Sequence, residues 1–240
     1  MTVPDNRQSF QRPHTADNLA SKRVIDLTFP MDERLQGAAF EWIPGLSLTP
    51  TATLETLGRS VYQVVMSTHC GTHIDAPSHF IKNGATIDQV PFSQVIGEAI
   101  LLDLTSKGAD EIITADDLEQ VGADVGTGDI VLLHTNWDRW WGTRDYFWRA
   151  PYVALDAAEW LVERKIATLG LDLPCPDNMR DIKPKSQLPI HTLLLANNII
   201  IIEMMANLGL VDRSRFTFIA LPLRFKGVDG SPVRAVALLP

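Results

Sequence analysis

The chain has 240 residues, 45% of them hydrophobic and 21% charged, with a formal net charge of −8, a composition that suits a soluble globular protein with a substantial core. The acidic balance argues against nucleic-acid binding, which needs clustered Lys and Arg, but it leaves room for an anionic small-molecule substrate beside a bound cation. Cys70 and Cys175 are the only cysteines and suggest neither a disulfide framework nor a CxxC site; no apolar run reaches the length of a membrane span.

Residues 1–22 are polar, with Pro4 and Pro13 and no hydrophobic period. They read as a flexible N-terminal arm that could dock on a neighbouring subunit, and residues 23–240 as one domain. The arm lacks a signal peptide's apolar core, so the expected compartment is the cytoplasm. Residues 24–28 are the first strand-like run. Phe40 and Trp42 follow among turn formers; exposing them would be costly, so they either plug a core or line a pocket.

Residues 62–66 are β-prone and feed into residues 67–80, which places His69 near the end of a strand. His69, His73, Asp75 and His79 fall within eleven residues of a chain with six histidines. All four occupy odd positions, so extended backbone turns them to one face. A helix would swing Asp75 off the face shared by His69 and His73. A straight strand would carry His79 roughly 33 Å from His69, whereas ligands of one ion converge to about 2.0–2.2 Å from it. The segment must therefore bend, and Gly71 and Pro77 permit that. Two imidazoles and a carboxylate suit zinc, or manganese or iron with open positions. Cys70 has the opposite parity and reads as packing.

Residues 99–104 form the next predicted strand. Thr114 caps a predicted helix with Asp117 at its third position. Residues 129–134 read as a buried strand bounded by Gly128. His134, Trp137, Trp140 and Trp141 leave its end and suggest a site wall, with His134 itself read as a core or strand-end histidine ahead of a ligand. Residues 155–164 have the period of an amphipathic helix, 168–173 are a strand, and 173–189 are a proline-rich loop of lid type. A short helix over 190–197 carries His191 in its first turn. Glu203 directly follows four isoleucines, so it is either at a strand exit or buried with a partner. His191 is its nearest candidate partner, one short helix and one strand earlier. Residues 216–222 and 235–239 are terminal strands, joined through turn chemistry at 227–230. The fold class is mixed α/β with at least six strands.

The run from His69 through Gly71, Thr72, His73, Asp75, Pro77, His79 and Phe80 resembles the HxGTHxDxPxHF signature of the cyclase-like metal-dependent hydrolases, which include bacterial kynurenine formamidase and isatin hydrolase. The resemblance extends from Ile25 over nearly the whole remaining chain, including His134 to Trp137, Leu171 to Pro174, His191 with Glu203, and Gly230 to Ala237. It implies a single domain of the swivelling β/β/α type, assembled as a homodimer or homotetramer. It also implies one or two divalent ions per subunit, Zn2+ or Mn2+. His69, His73 and Asp75 would bind the first, His191 and Glu203 would lie near a second or at the catalytic water, and Asp75 would bridge if two bind. His79 is implied as general acid/base. Phe40, Trp42, Phe80, Trp137 and Trp141 are the candidate walls for a flat aryl amide. The chain departs from the family at Phe29, where His or Ser usually precedes the proline, and in lacking a clear Trp-Pro-Gly afterwards. These departures bear on the substrate more than on the chemistry.

The implied activity is hydrolysis of the C–N bond of a small amide, an aryl formamide or a cyclic amide or imide, with no nucleic-acid or membrane partner. The alternative is a non-catalytic metal- or ligand-binding protein that retains the fold. Retention of His79 beside all five candidate ligands favours the enzyme, because a binder needs no proton shuttle.

Overall fold

The computed structural model describes residues 22–32 and 43–240. All but the last residue of the expected arm, and both Phe40 and Trp42, lie outside the described residues.

Twelve strands occur among the described residues: β1 (Arg23–Asp26), β2 (Ser47–Ala52), β3 (Val61–Val65), β4 (His73–Asp75), β5 (Ile96–Asp103), β6 (Ile112–Ile113), β7 (Ile130–His134), β8 (Tyr152–Val153), β9 (Thr168–Leu171), β10 (Ile200–Glu203), β11 (Arg215–Pro222) and β12 (Gly230–Leu239). Five helices accompany them: α1 (Leu54–Leu57), α2 (Ala115–Val121), α3 (Arg144–Trp148), α4 (Leu155–Glu163) and α5 (Pro189–Ala196).

The main sheet runs β1-β12-β11-β5-β7-β9-β10-β4, and β4 also pairs with β12. That second pairing closes the seven strands from β12 to β4 into a barrel, leaving β1 on its flank. Neighbours in β5-β7-β9-β10 are parallel, while β4, β11 and β12 pair antiparallel. Strand alternation divides the core in two. Ile74, Ile130, Leu132, Ile200, Ile202 and Phe218 belong to one buried cluster, which fills the ring. Val131, Leu133, Leu169, Leu171 and Ile201 belong to the other, beneath α4 and α5. β7, β9 and β10 are largely apolar because both their faces are covered.

Helix ends follow local chemistry. Thr114 Oγ1 accepts from the Asp117 N–H while the Asp117 carboxylate accepts from the Thr114 N–H, the expected reciprocal cap. α4 buries Ala157, Ala158, Trp160 and Leu161, one stripe against the sheet.

Two differences from the sequence reading matter. The 62–66 run does form a strand, but β3 pairs with β2 in a separate hairpin and is exposed along its whole length. His69 consequently sits in a bend ahead of β4 rather than at the end of a strand. The last strand begins at Gly230 instead of Ala235, since its first residues pair with β4 and complete the ring. No helix among the described residues is long and apolar enough to cross a membrane.

Candidate metal centre

Gly71 adopts φ 63°, the left-handed conformation that lets the chain reverse between His69 and β4. A Cβ at Gly230 would meet the Ile74 carbonyl oxygen at 2.8 Å and His69 Cε1 at 3.0 Å, so glycine lets the His69 ring settle against β12. In β4, His73 lies directly opposite Glu203 of β10, and Asp75 opposite Ile201. Paired positions share a face, so the His73 and Glu203 side chains project together, toward the outer layer where α5 carries His191.

Three imidazoles are oriented by acceptors behind them. His73 Nδ1 donates to the Gly71 carbonyl at 2.8 Å, His191 Nδ1 to Asp177 Oδ2 at 2.7 Å, and His69 Nε2 to Asp229 Oδ2 at 2.9 Å. The other nitrogen of His73 and of His191 faces both Asp75 and Glu203, and that of His69 faces Asp75. His69 Nδ1 is 2.8 Å and His73 Nε2 3.4 Å from Asp75 Oδ1; His73 Nε2 is 3.4 Å from Glu203 Oε2. His191 Nε2 is 3.4 Å from Asp75 Oδ2 and 3.1 Å from Glu203 Oε1. Outer acceptors of this kind fix the tautomer and ring angle of metal-binding histidines.

These residues fit a divalent ion. His73 Nε2, Asp75 Oδ2 and Glu203 Oε1 are buried without a hydrogen-bond partner, and burying such atoms unpaired is costly. They face one another across the same small space. Donors 2.0–2.2 Å from a shared ion, at angles between square and tetrahedral, stand about 3–3.5 Å apart, close to the spacings above. Four overlapping donor groups occur among the described residues, and two of them use no His79: His69, His73 and Asp75, and His191, Glu203 and the Cys175 thiol, with Asp75 Oδ2 3.4 Å from His191 Nε2.

The local field favours positive charge. Burial alone would depress His69, but the Asp75 and Asp229 carboxylates outweigh it and raise its pKa to about 10. Burial likewise works against ionised Asp75, yet His69, His79 and His191 hold its carboxyl well below the usual range. Hydrogen bonds from His69 and His79 keep Asp229 ionised, also well below its ordinary value. Burial pushes the Cys175 thiol up to about 12. A bound cation inverts such preferences by replacing the proton.

His79 closes a short 3-10 turn, Pro77–His79, and donates from Nδ1 to Asp229 Oδ2 at 3.0 Å. Its ring centroid lies 3.9 Å from that of His69, and Phe80 meets His79 edge-on at 4.6 Å and His191 at 4.9 Å. Together with the ligand candidates, these side chains line a cavity of about 610 Å3. One wall and the mouth come from the loop expected to act as a lid, including Pro174, Cys175, Met179, Lys183 and Lys185.

His69, His73, Asp75, His79, Phe80, His191 and Glu203 are thus brought to one cavity. Trp137 and Trp141 are not. Trp137 is buried with Nε1 donating to the Tyr146 carbonyl, and Trp141 stacks on Phe29 at 3.8 Å. Trp137 belongs to the core cluster and Trp141 packs against it, while Trp140 is exposed, which corrects the expectation of a tryptophan wall. His134 ends β7 against Gly209, and neither it nor Cys70 lines the cavity.

Three residues escaped the sequence reading. Asp229 looked like turn chemistry between Gly227 and Gly230, yet it joins His69 to His79. Asp177, within a proline-rich loop, accepts from the His191 ring and from the Ile190 and His191 backbone N–H groups. Cys175 gave no local signal, because its role depends on loop placement.

The chain matches the family model described as a putative cyclase over residues 25–178. It is 34% identical over 179 residues to the kynurenine formamidase of Geobacillus thermodenitrificans, covering 73% of this chain and 78% of that protein. Over 195 residues it is 30% identical to the isatin hydrolase of Roseibium aggregatum, 74% of each chain. The fold superimposes on a crystal structure of an isatin hydrolase bound to the product analogue thioisatinate, with a TM-score of 0.83 at 24% identity over 92% of this chain and 94% of the other.

Proposed function

The chain belongs to the cyclase family, and from that premise we propose that it is a metal-dependent hydrolase of small amides. The observation that carries the reading is the convergence of three unpartnered buried atoms, His73 Nε2, Asp75 Oδ2 and Glu203 Oε1, beside a histidine braced for proton transfer. The substrate class is an aryl formamide or a cyclic amide or imide, as the names of the related enzymes suggest. Each chain offers two cation positions that share Asp75, suited to Zn2+ or Mn2+.

A divalent ion held by these side chains supplies a Lewis acid that acidifies water and polarises a carbonyl. The chain does the rest. His69, His73 and His191, each braced from behind, hold their lone pairs toward the centre, so little reorganisation accompanies the reaction. His79 has Nδ1 committed to Asp229, which leaves Nε2 to deliver a proton to the departing nitrogen as the C–N bond breaks. Asp229 stabilises the charged imidazolium that forms in each cycle. Phe80 lies against both His79 and His191 and offers an apolar face to an aryl ring. Water adds across the bond, giving a carboxylate and an amine. Lys183 and Lys185 at the mouth supply positive charge for that carboxylate.

The chain assembles as a homodimer or homotetramer, a reading supported by the β2–β3 hairpin. β3 is exposed along its length and β2 at four of its six positions, and isolated two-stranded hairpins are marginally stable in water.

A hydrolysis screen over aryl formamides, isatins, hydantoins and lactams, on protein reconstituted separately with Zn2+ and Mn2+, tests the assignment. Turnover of at least one class, dependent on His79, is expected. Tight binding of these compounds without turnover would favour the non-catalytic alternative.

A further inference from the structure

A buried cysteine usually acts as a small hydrophobe, but the surroundings of Cys175 are not apolar. Its sulfur, an imidazole nitrogen of His191 and a carboxylate oxygen of Glu203 all lie within 4.8 Å of one another. All three residues are buried, with exposures of 4%, 3% and 6% for Cys175, His191 and Glu203. Glu203 Oε1, aimed into the same space, has no hydrogen-bond partner. The thiol is also held in place. Pro174 and Pro176 restrict the backbone on either side. The Leu173 carbonyl accepts from Met204 N–H, and the Pro176 carbonyl accepts from Val153 N–H.

We propose that Cys175 is a thiolate ligand of the cation held by His191 and Glu203, and that it biases this position toward Zn2+ over harder ions such as Mn2+. The inference rests on the metal-binding reading above and adds a ligand to it. Thiolate is a soft donor that favours zinc, while carboxylate-rich sets suit manganese and magnesium. The other position, built from His69, His73 and Asp75, has no sulfur, so the two positions differ in preference. On binding, the S–H bond gives way to an S–metal bond and one proton passes to solvent. The thiol is then the group through which an oxidant would disturb the site, since sulfur capped with oxygen or a second thiol no longer ligates in the same way.

Cobalt is the probe. Apo-protein is reconstituted with Co2+, and bound cobalt is counted by elemental analysis while the near-ultraviolet spectrum is recorded. A thiolate-to-cobalt charge-transfer band is expected in wild type and in Cys70→Ser, and is expected to vanish in Cys175→Ser and Cys175→Ala. Competition binding provides a second readout: the preference for Zn2+ over Mn2+ should fall on the order of 10–100-fold in the Cys175 variants, the range typical when metal support is removed. Cobalt bound stoichiometrically by wild type with no such band would overturn the thiolate assignment and leave the metal reading intact. No bound cobalt would overturn both. Should the variants fail to fold, the wild-type spectrum alone still decides.

Discussion

Asp229 Oδ2 lies 3.0 Å from His79 Nδ1 and holds the ring that we assign to proton transfer. The same oxygen is 2.9 Å from His69 Nε2, so one carboxylate braces both a candidate ligand and the candidate acid. His79→Ala should keep its metal yet lose ~10²–10⁴-fold in kcat. Asp229→Asn should cost less, about 10–100-fold, and should shift the pH profile of kcat as well as its height. An Asp229→Asn enzyme with wild-type rate and profile would remove the positioning role.

His69→Ala, His73→Ala and Asp75→Ala should each strip metal from the position that those three residues form and abolish hydrolysis, because each deletes one of its three donors. Glu203→Gln should lower turnover by orders of magnitude with little change in melting temperature. Elemental analysis and thermal melts measured side by side check these statements. Full metal occupancy in any two of the three alanine variants would contradict the ligand assignment.

The pH dependence of metal-depleted protein follows from His69. Its pKa is raised from 6.5 to about 10 by Asp75 and Asp229, against the opposing effect of burial. A group whose pKa is higher folded than unfolded binds protons more tightly in the native state. Its stabilisation is therefore complete below pH 6.5 and is lost as pH rises toward 10. Urea unfolding of chelated protein should show falling stability across that window, and a flatter profile in His69→Asn. Equal slopes for the two proteins would place the effect elsewhere.

The hairpin makes a separate statement about assembly. Tyr62 is 57% exposed and Val64 and Val65 are 51% and 52% exposed, an apolar edge that a second copy would cover. Light scattering should give a dimer or tetramer mass for wild type and a smaller particle for Val64→Lys combined with Tyr62→Lys. A wild-type monomer at every concentration would end this proposal.

The site was legible in the sequence where its chemistry is local. Parity together with the bend at Gly71 put His69, His73 and Asp75 in one place, and the burial argument for Glu203 pointed to His191. The reading faltered where tertiary closure decides. Asp229 has the sequence surroundings of an ordinary turn, and it becomes a brace only because β12 pairs with β4. The tryptophans after β7 look like a pocket wall from composition alone. In the fold Trp137 turns into the core, where its Nε1 donates to the Tyr146 carbonyl, and Trp141 stacks on Phe29. Residues 62–66 are β-prone and lead straight into the histidine run, yet β3 pairs only with β2 outside the barrel.

The central claim is that amide hydrolysis here depends on divalent metal bound at the positions formed by His69, His73 and Asp75 and by His191 and Glu203. Its most direct test follows hydrolysis of an aryl formamide and of isatin by the same preparation before chelation, after chelation, and after return of Zn2+ or Mn2+. The account predicts turnover that disappears with the metal and returns with it, and no return in Asp75→Ala. Undiminished turnover in protein shown by elemental analysis to contain no metal would contradict it.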